Sequence, residues 1–193
     1  MASINSIIPI IIWLVIVFII AIICKKQFPS HKELTRKIVH IGTGPIIPIA
    51  WWCNISQTLA LSMASIITIG LFINYKFRLI NSIEDIERKS YGTIAYGISI
   101  TLLILFFWPQ NIEAITTGIL VMAFGDGLAG LIGKEVKSKT WKILGQKKSM
   151  IGTFSMWIIS ILVLYIITLI SGANVSNMEI IVIGTLATVL EQI

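Results

Sequence analysis

The sequence predicts an all-α, polytopic integral membrane protein: six full transmembrane helices, a partial seventh, and the N-terminus outside. Three observations predict it. Hydrophobic residues make up 56% of the chain and charged residues only 12%, against roughly 25% charged in soluble domains. Apolar runs near or above about 18 residues recur. All 15 Lys and Arg fall in three windows, 25–37, 76–89 and 134–148. The turns between these windows, on the other side of the bilayer, hold none, which is the charge pattern that orients membrane helices. The net charge of +6 would by itself suit nucleic acid. Its clustering at helix ends argues against that partner and leaves anionic lipid or a nucleotide. No low-complexity linker divides the chain, so residues 1–193 read as one transmembrane domain.

The first apolar run, 6–24, has no basic residues before it and no small-x-small cleavage site after it. It therefore reads as an anchor helix rather than a cleaved signal. Its lysines follow it, which places loop 25–37 in the cytoplasm. The second span, 38–53, carries Pro45 and Pro48, which kink a membrane helix. It ends at Trp51-Trp52, an interfacial belt. The third span is 56–74. Loop 75–90 has isoleucines at helical spacing opposite charges, the pattern of a short amphipathic helix. The fourth span, 92–108, ends at Trp108-Pro109, the fifth is 112–133 and the sixth 152–171. The last apolar stretch, 179–193, is too short to cross a core of about 30 Å at about 1.5 Å per residue. It is expected to be interfacial or the start of a longer span. Cys24 and Cys53 fall at opposite faces, too far apart for a disulfide.

The chemistry is expected around 124–153. Asp126 lies inside an apolar run, where a carboxylate costs about 2.5–3.5 kcal/mol. It is a candidate metal ligand or general base. Positions 126, 130 and 133 share a helical face, and the glycines there admit another backbone or a phosphate. Plain small-residue helix packing explains the same pattern. Lys147, Lys148 and Ser149, with Gly152 and Thr153, put point charges and helix N-terminal amides where phosphate binds. The same lysines also serve simply to set topology. Arg36 and His40 sit at i, i+4 on one face, with Lys37 beside them. His40 is a candidate proton relay or phosphate contact. Glu84 and Glu87, ahead of Arg88, have the helical spacing of Mg²⁺ ligands, a role that needs one or two carboxylates plus phosphate oxygens. Ordinary i, i+4 ion pairing accounts for them equally well. No zinc pattern and no Walker A loop occurs.

Three stretches carry a resemblance: GDGLAGLIGK through GQKKSMIGT (125–153), RKIVH (36–40) and ERKSYGT (87–93). Together they resemble the phytol kinase and dolichol kinase family, itself related to phosphatidate cytidylyltransferases. The resemblance runs from about 34 to 191, a kinase-like core after the anchor helix. It implies a CTP-dependent kinase acting on a long-chain isoprenoid alcohol, phytol above all, with Mg²⁺ as the divalent metal. It also implies a plasma or thylakoid membrane of a photosynthetic organism, with the active face cytoplasmic, and a part in tocopherol biosynthesis or chlorophyll salvage. By motif position, Asp126 matches the family aspartate and Lys147, Lys148 and Ser149 its nucleotide-side loop. The chain departs from the pattern K-S-x-E-G-[ST], having Ile151 where the family has Glu. The family pattern also continues past the Ala187-Thr188…Glu191 segment to a G-x-D-N motif beyond residue 193.

The expected site is therefore Asp126, His40 and Lys148 as catalytic groups. Arg36, Lys37, Arg88, Lys147, Ser149, Gly152 and Thr153 contact nucleotide phosphates, and Asp126, Glu84 and Glu87 hold the metal. Synthesis of a CDP-lipid is the competing enzyme reading. A membrane transporter or scaffold is the competing non-enzyme reading.

Overall fold

The computed structural model describes residues 6–29, 31–77, 92–143 and 146–192. The fold is helical. In chain order the helices are α1 (Ile8–Gln27), α2 (Lys32–Thr43), α3 (Ile46–Trp52), α4 (Gln57–Phe77), α5 (Gly92–Phe107), α6 (Ile112–Leu120), α7 (Gly127–Glu135), α8 (Met150–Ser171) and α9 (Asn177–Glu191). Helices α6 and α7 are continuous through a π-helical segment, Val121–Asp126. Among the described residues, four helices are long and apolar enough to cross a membrane: Ile8–Gln27, Gln57–Phe77, Ile112–Glu135 and Met150–Ser171. α5 is apolar but shorter, at 16 residues.

The expected second span is two short helices rather than one kinked one. α2 ends at Thr43, and Pro45 caps α3 with Gly44 between them. Proline cannot supply the N–H that would continue α2. A second difference lies in loop 134–150, which forms a two-stranded antiparallel hairpin: β1 (Thr140–Ile143) and β2 (Gln146–Ser149), with Trp141 opposite Lys148 and Lys142 opposite Lys147. The hairpin is tied to α8, because Met150 N donates to the Lys139 carbonyl at 2.9 Å. That bond satisfies one of the amides that a helix start leaves without an internal partner. The amphipathic helix expected across 75–90 lies mostly outside the described residues.

Two apolar clusters divide the bundle. The larger joins Ile10, Ile47, Ile55, Ile104, Trp108 and Ile115 among others. Trp108 closes it, donating from Nε1 to the Ile55 carbonyl at 3.2 Å. The smaller joins Val121, Ala129, Met156 and Val163. The first helix is more than an anchor: Trp13 Nε1 donates to the Gly42 carbonyl at 2.7 Å, which fixes α1 against α2. The outward faces of α1, α4 and α8 carry rows of exposed isoleucine, leucine and phenylalanine. This arrangement is stable only in an apolar solvent.

At the opposite end from Trp108, α7 and α8 approach closely. A Cβ on Gly133 would lie 2.5 Å from Ser149 Oγ and 3.2 Å from Gly152 Cα. Ser149 caps α8, its hydroxyl accepting from Gly152 N at 3.1 Å. The hairpin is thereby anchored to the end of α7. Gly133→Ala should therefore lower the thermal unfolding midpoint in detergent by the equivalent of about 1–3 kcal/mol of overpacking. Gly70→Ala, where nothing lies within 4 Å, should leave it unchanged or raised. Equal midpoints for the two variants would rule out this crossing as a constraint.

Candidate functional site

The site is built where α2 crosses the π segment and α7. Lys37 is almost fully buried, with 7% exposure. An ammonium in such surroundings needs a partner. It finds Asp126, donating from Nζ to Oδ2 at 2.8 Å and to the Asp126 carbonyl at 3.0 Å. Gly130 makes the approach possible, since a Cβ there would lie 2.9 Å from Lys37 Cε and 3.0 Å from Nζ. The Asp126 side chain remains 43% exposed. Among the described residues its side chain is contacted at Oδ2, by Lys37 and His40, which leaves Oδ1 for a ligand.

His40 stands one turn beyond Lys37. Its Nε2 lies 3.1 Å from the Met122 carbonyl and 3.4 Å from Asp126 Oδ2. Both are acceptors, so Nε2 carries the proton. Met122 belongs to the π segment, where backbone bonding shifts from i→i+4 to i→i+5. His40 thus ties that altered turn to the Asp126 carboxylate. On its other side the ring packs against Tyr96 of α5, with centroids 4.4 Å apart. Thr43 Oγ1 lies 3.5 Å from the Tyr96 hydroxyl. In this arrangement His40, expected as a proton relay or phosphate contact, stands beside the Asp126 carboxylate. Tyr96 and Thr43 had not been singled out in the sequence. Thr43 falls on the same helix as RKIVH, whereas Tyr96 is separated from it by two helices.

The other expected residues divide into three groups. Arg36 pairs with Glu33, whose other oxygen takes Lys134 Nζ at 3.0 Å. Arg36 therefore belongs to a strap joining the start of α2 to the end of α7. Burial pushes the Glu33 carboxyl up, but the hydrogen bonds and charges of Lys134 and Arg36 outweigh it and hold it below the ordinary value. Lys148 donates to the Glu191 carboxylate and, at 2.8 Å, to the Glu191 carbonyl. Lys147 is exposed on β2. Ser149 and Gly152 are buried in the α7–α8 crossing, and Thr153 Oγ1 donates to Gln192 at 3.2 Å. Arg88, Glu84 and Glu87 lie outside the described residues. Among the described residues no group of three or more His, Cys, Asp or Glu is placed to hold a metal. Mg²⁺ has a lesser requirement, one or two carboxylates plus phosphate oxygens, and the open Oδ1 of Asp126 fits it.

Two measurements test this electrostatic frame. Lys37→Met should destabilise the protein in detergent by about 1–3 kcal/mol. That is less than the about 3–5 of a fully buried pair, because solvent screens the half-exposed Asp126. A midpoint equal to wild type would mean that the buried ammonium is not anchored by Asp126. The Glu33 strap has a pH signature. Since its folded pKa is lowered, its contribution is fully present above the ordinary glutamate value of 4.5 and is lost as pH falls through the folded pKa. The stability gap between wild type and Glu33→Gln should be constant above that value and close below it. A gap that instead closes on the alkaline side contradicts the assignment.

The chain as a whole is similar to several curated proteins. The chain is 40% identical over 136 residues to a phytol kinase of Synechocystis, covering 69% of this chain and 58% of that one. It is 28% identical over 156 residues to phytol kinase 1 of Arabidopsis thaliana, covering 72% and 51%. It is 24% identical over 143 residues to the farnesol kinase of Arabidopsis thaliana, covering 68% and 46%. The chain spans about half the length of the curated relatives it matches. No family model and no solved structure matches. At 40% identity over 69% of its length to a phytol kinase, the chain belongs to the phytol kinase family.

Proposed function

We propose that this protein transfers the terminal phosphoryl group of CTP to a membrane-soluble isoprenoid alcohol, phytol first, giving phytyl phosphate. The observation that carries the reading is the Lys37–Asp126–His40 constellation at the end of an apolar helix pair, in a chain whose relatives are named phytol and farnesol kinases. It joins two environments. The faces of α1, α4 and α8 suit an alcohol arriving sideways from the bilayer. The basic hairpin suits an anion arriving from water.

The topology that goes with it has the N-terminus outside and the basic windows cytoplasmic. α2–α3, α5 and α9 complete the six spans and the partial seventh. The membrane is that of a photosynthetic organism, plasma or thylakoid, since the relatives named phytol kinases are cyanobacterial and chloroplastic.

In the transfer the alcohol oxygen attacks the terminal phosphorus, and the bond from that phosphorus to the CDP oxygen breaks. The hydroxyl proton leaves with the departing phosphate or to Asp126. Little covalent help is needed, because such transition states respond chiefly to positioning and to charge. Lys37 holds the Asp126 carboxylate in one orientation. His40 fixes the same oxygen from the other side, so Oδ1 is presented to the reactants. Lys148 and Lys147 neutralise phosphate charge as it is redistributed. Bound Mg²⁺, held by Asp126 together with the nucleotide's phosphates, would supply Lewis-acid polarisation of the transferred group. Glu84, Glu87, Arg88 and Arg36 complete the proposed nucleotide and metal contacts from the cytoplasmic loops.

The test is a substrate panel. Purified protein with γ-labelled CTP, Mg²⁺ and phytol should yield labelled phytyl phosphate, and Asp126→Asn should lose at least about 10²-fold of that activity while still expressing, as removal of a key electrostatic group does. CDP-lipid formed from phosphatidic acid, with no labelled alcohol, would assign the protein to lipid cytidylyl transfer instead. Neither product would favour the transporter or scaffold reading.

A further inference from the structure

Two lysines of this protein are held in the same way. Lys37 donates to the carbonyl of Asp126 and to its carboxylate. Lys148 donates to the carbonyl of Glu191 and to its carboxylate. An ammonium has three N–H bonds, so each lysine keeps one. A lysine side chain is otherwise long and mobile, and ordering it opposes binding. Here that ordering is complete before any ligand arrives.

Glu191 is itself well fixed. It ends α9, where backbone carbonyls lack helical partners. Its carboxylate takes a second bond from Gln192 Nε2 at 2.7 Å, and Gln192 accepts from Thr153 in the first turn of α8. The hairpin offers no local alternative, since no Asp or Glu occurs from 136 to 178. Both lysines reach the same stretch of α7: Gly130 meets Lys37, and Gly133, one turn on, meets Ser149, the residue after Lys148, so the two lysine–acid pairs are neighbours.

We infer that Glu191 is a positioning residue: it pins Lys148 beside the Lys37–Asp126 pair, so that the two ammoniums offer their remaining N–H groups to one phosphate. The inference deepens the kinase reading and rests on it for the identity of that phosphate as the nucleotide's. It has a definite sign. Neutralising Glu191 makes the site one charge more positive, which draws anions in. Releasing Lys148 lets it swing into water, which weakens their binding. If Glu191 merely occupied Lys148, the first effect would win; if it positions Lys148, the second does.

The experiment uses the full chain in lipid nanodiscs, with Mg-CTP titrated by tryptophan fluorescence and turnover measured alongside. Glu191→Gln should weaken nucleotide binding by about tenfold, the equivalent of one charged hydrogen bond, and leave the alcohol KM unchanged. Glu191→Asp, which keeps the charge, should recover most of that loss and serves where the Gln variant is too unstable to purify. The double variant Glu191→Gln/Lys148→Gln should bind no more weakly than Lys148→Gln alone, a non-additivity that general destabilisation does not produce. Unchanged or tighter binding by Glu191→Gln, or losses that multiply in the double variant, overturns the inference. Wild-type protein that binds nucleotide but phosphorylates no alcohol refutes the kinase reading alone. Wild-type protein that binds no nucleotide refutes both.

Discussion

The structure depends on a buried ammonium and the carboxylate that neutralises it. Lys37 lies in apolar surroundings with 7% exposure, and a charge so placed is tolerated only when paired. That requirement sets the local architecture. Gly130 must lack a side chain for the lysine to pass. The π segment must end at Asp126 for both its carbonyl and its carboxylate to be reached. The Glu33 strap to Arg36 and Lys134 holds the start of α2 at the end of α7. Each is a separate contribution from the chain to one electrostatic constraint.

The constraint also explains the division of labour within the bundle. The end closed by Trp108 is a packed apolar core whose isoleucines are nearly or wholly buried. The opposite end holds the ion pairs and the hairpin. It is thinner in apolar contacts and richer in hydrogen bonds between distant parts of the chain, such as Thr153–Gln192 and Lys148–Glu191. A rigid scaffold below and a polar, directionally bonded rim above is an arrangement suited to electrostatic preorganisation.

Much of this was legible in the sequence, for reasons of physical range. Long apolar runs have no other stable fate, so α1, α4, the α6–α7 helix and α8 were readable within a few residues. Asp126 was readable because an acid in such a run is conspicuous. The glycines at 130 and 133 were readable as points of close approach, though not what would approach. What escaped depends on partners far along the chain. Lys37 was singled out as a phosphate contact, but Asp126, its partner, lies 89 positions away, and nothing local in RKIVH names it. The hairpin escaped because Thr140–Ile143 and Gln146–Ser149 are too short and too polar to show a strand pattern. Glu191 escaped because its role exists only once α9 has folded back along α8.

The π segment has a consequence for the periodicity of its helix. Relative to a regular α-helix it carries one surplus residue, and one residue turns a helix by about 100°. α6 and α7 are therefore out of phase with each other although their axis is continuous. The row of side chains that α6 sends into the Trp108 core, Ile112, Ile115 and Ile119, does not continue as the same stripe in α7. In an unbroken helix Gly130 and Gly133, eleven and fourteen residues after Ile119, would fall on its face; the surplus residue turns them about 100° away from it, where they admit Lys37 and Ser149. A single helix thus serves a greasy core with one half and an ionic site with the other, and the offset between its two halves keeps those faces from competing for the same neighbours.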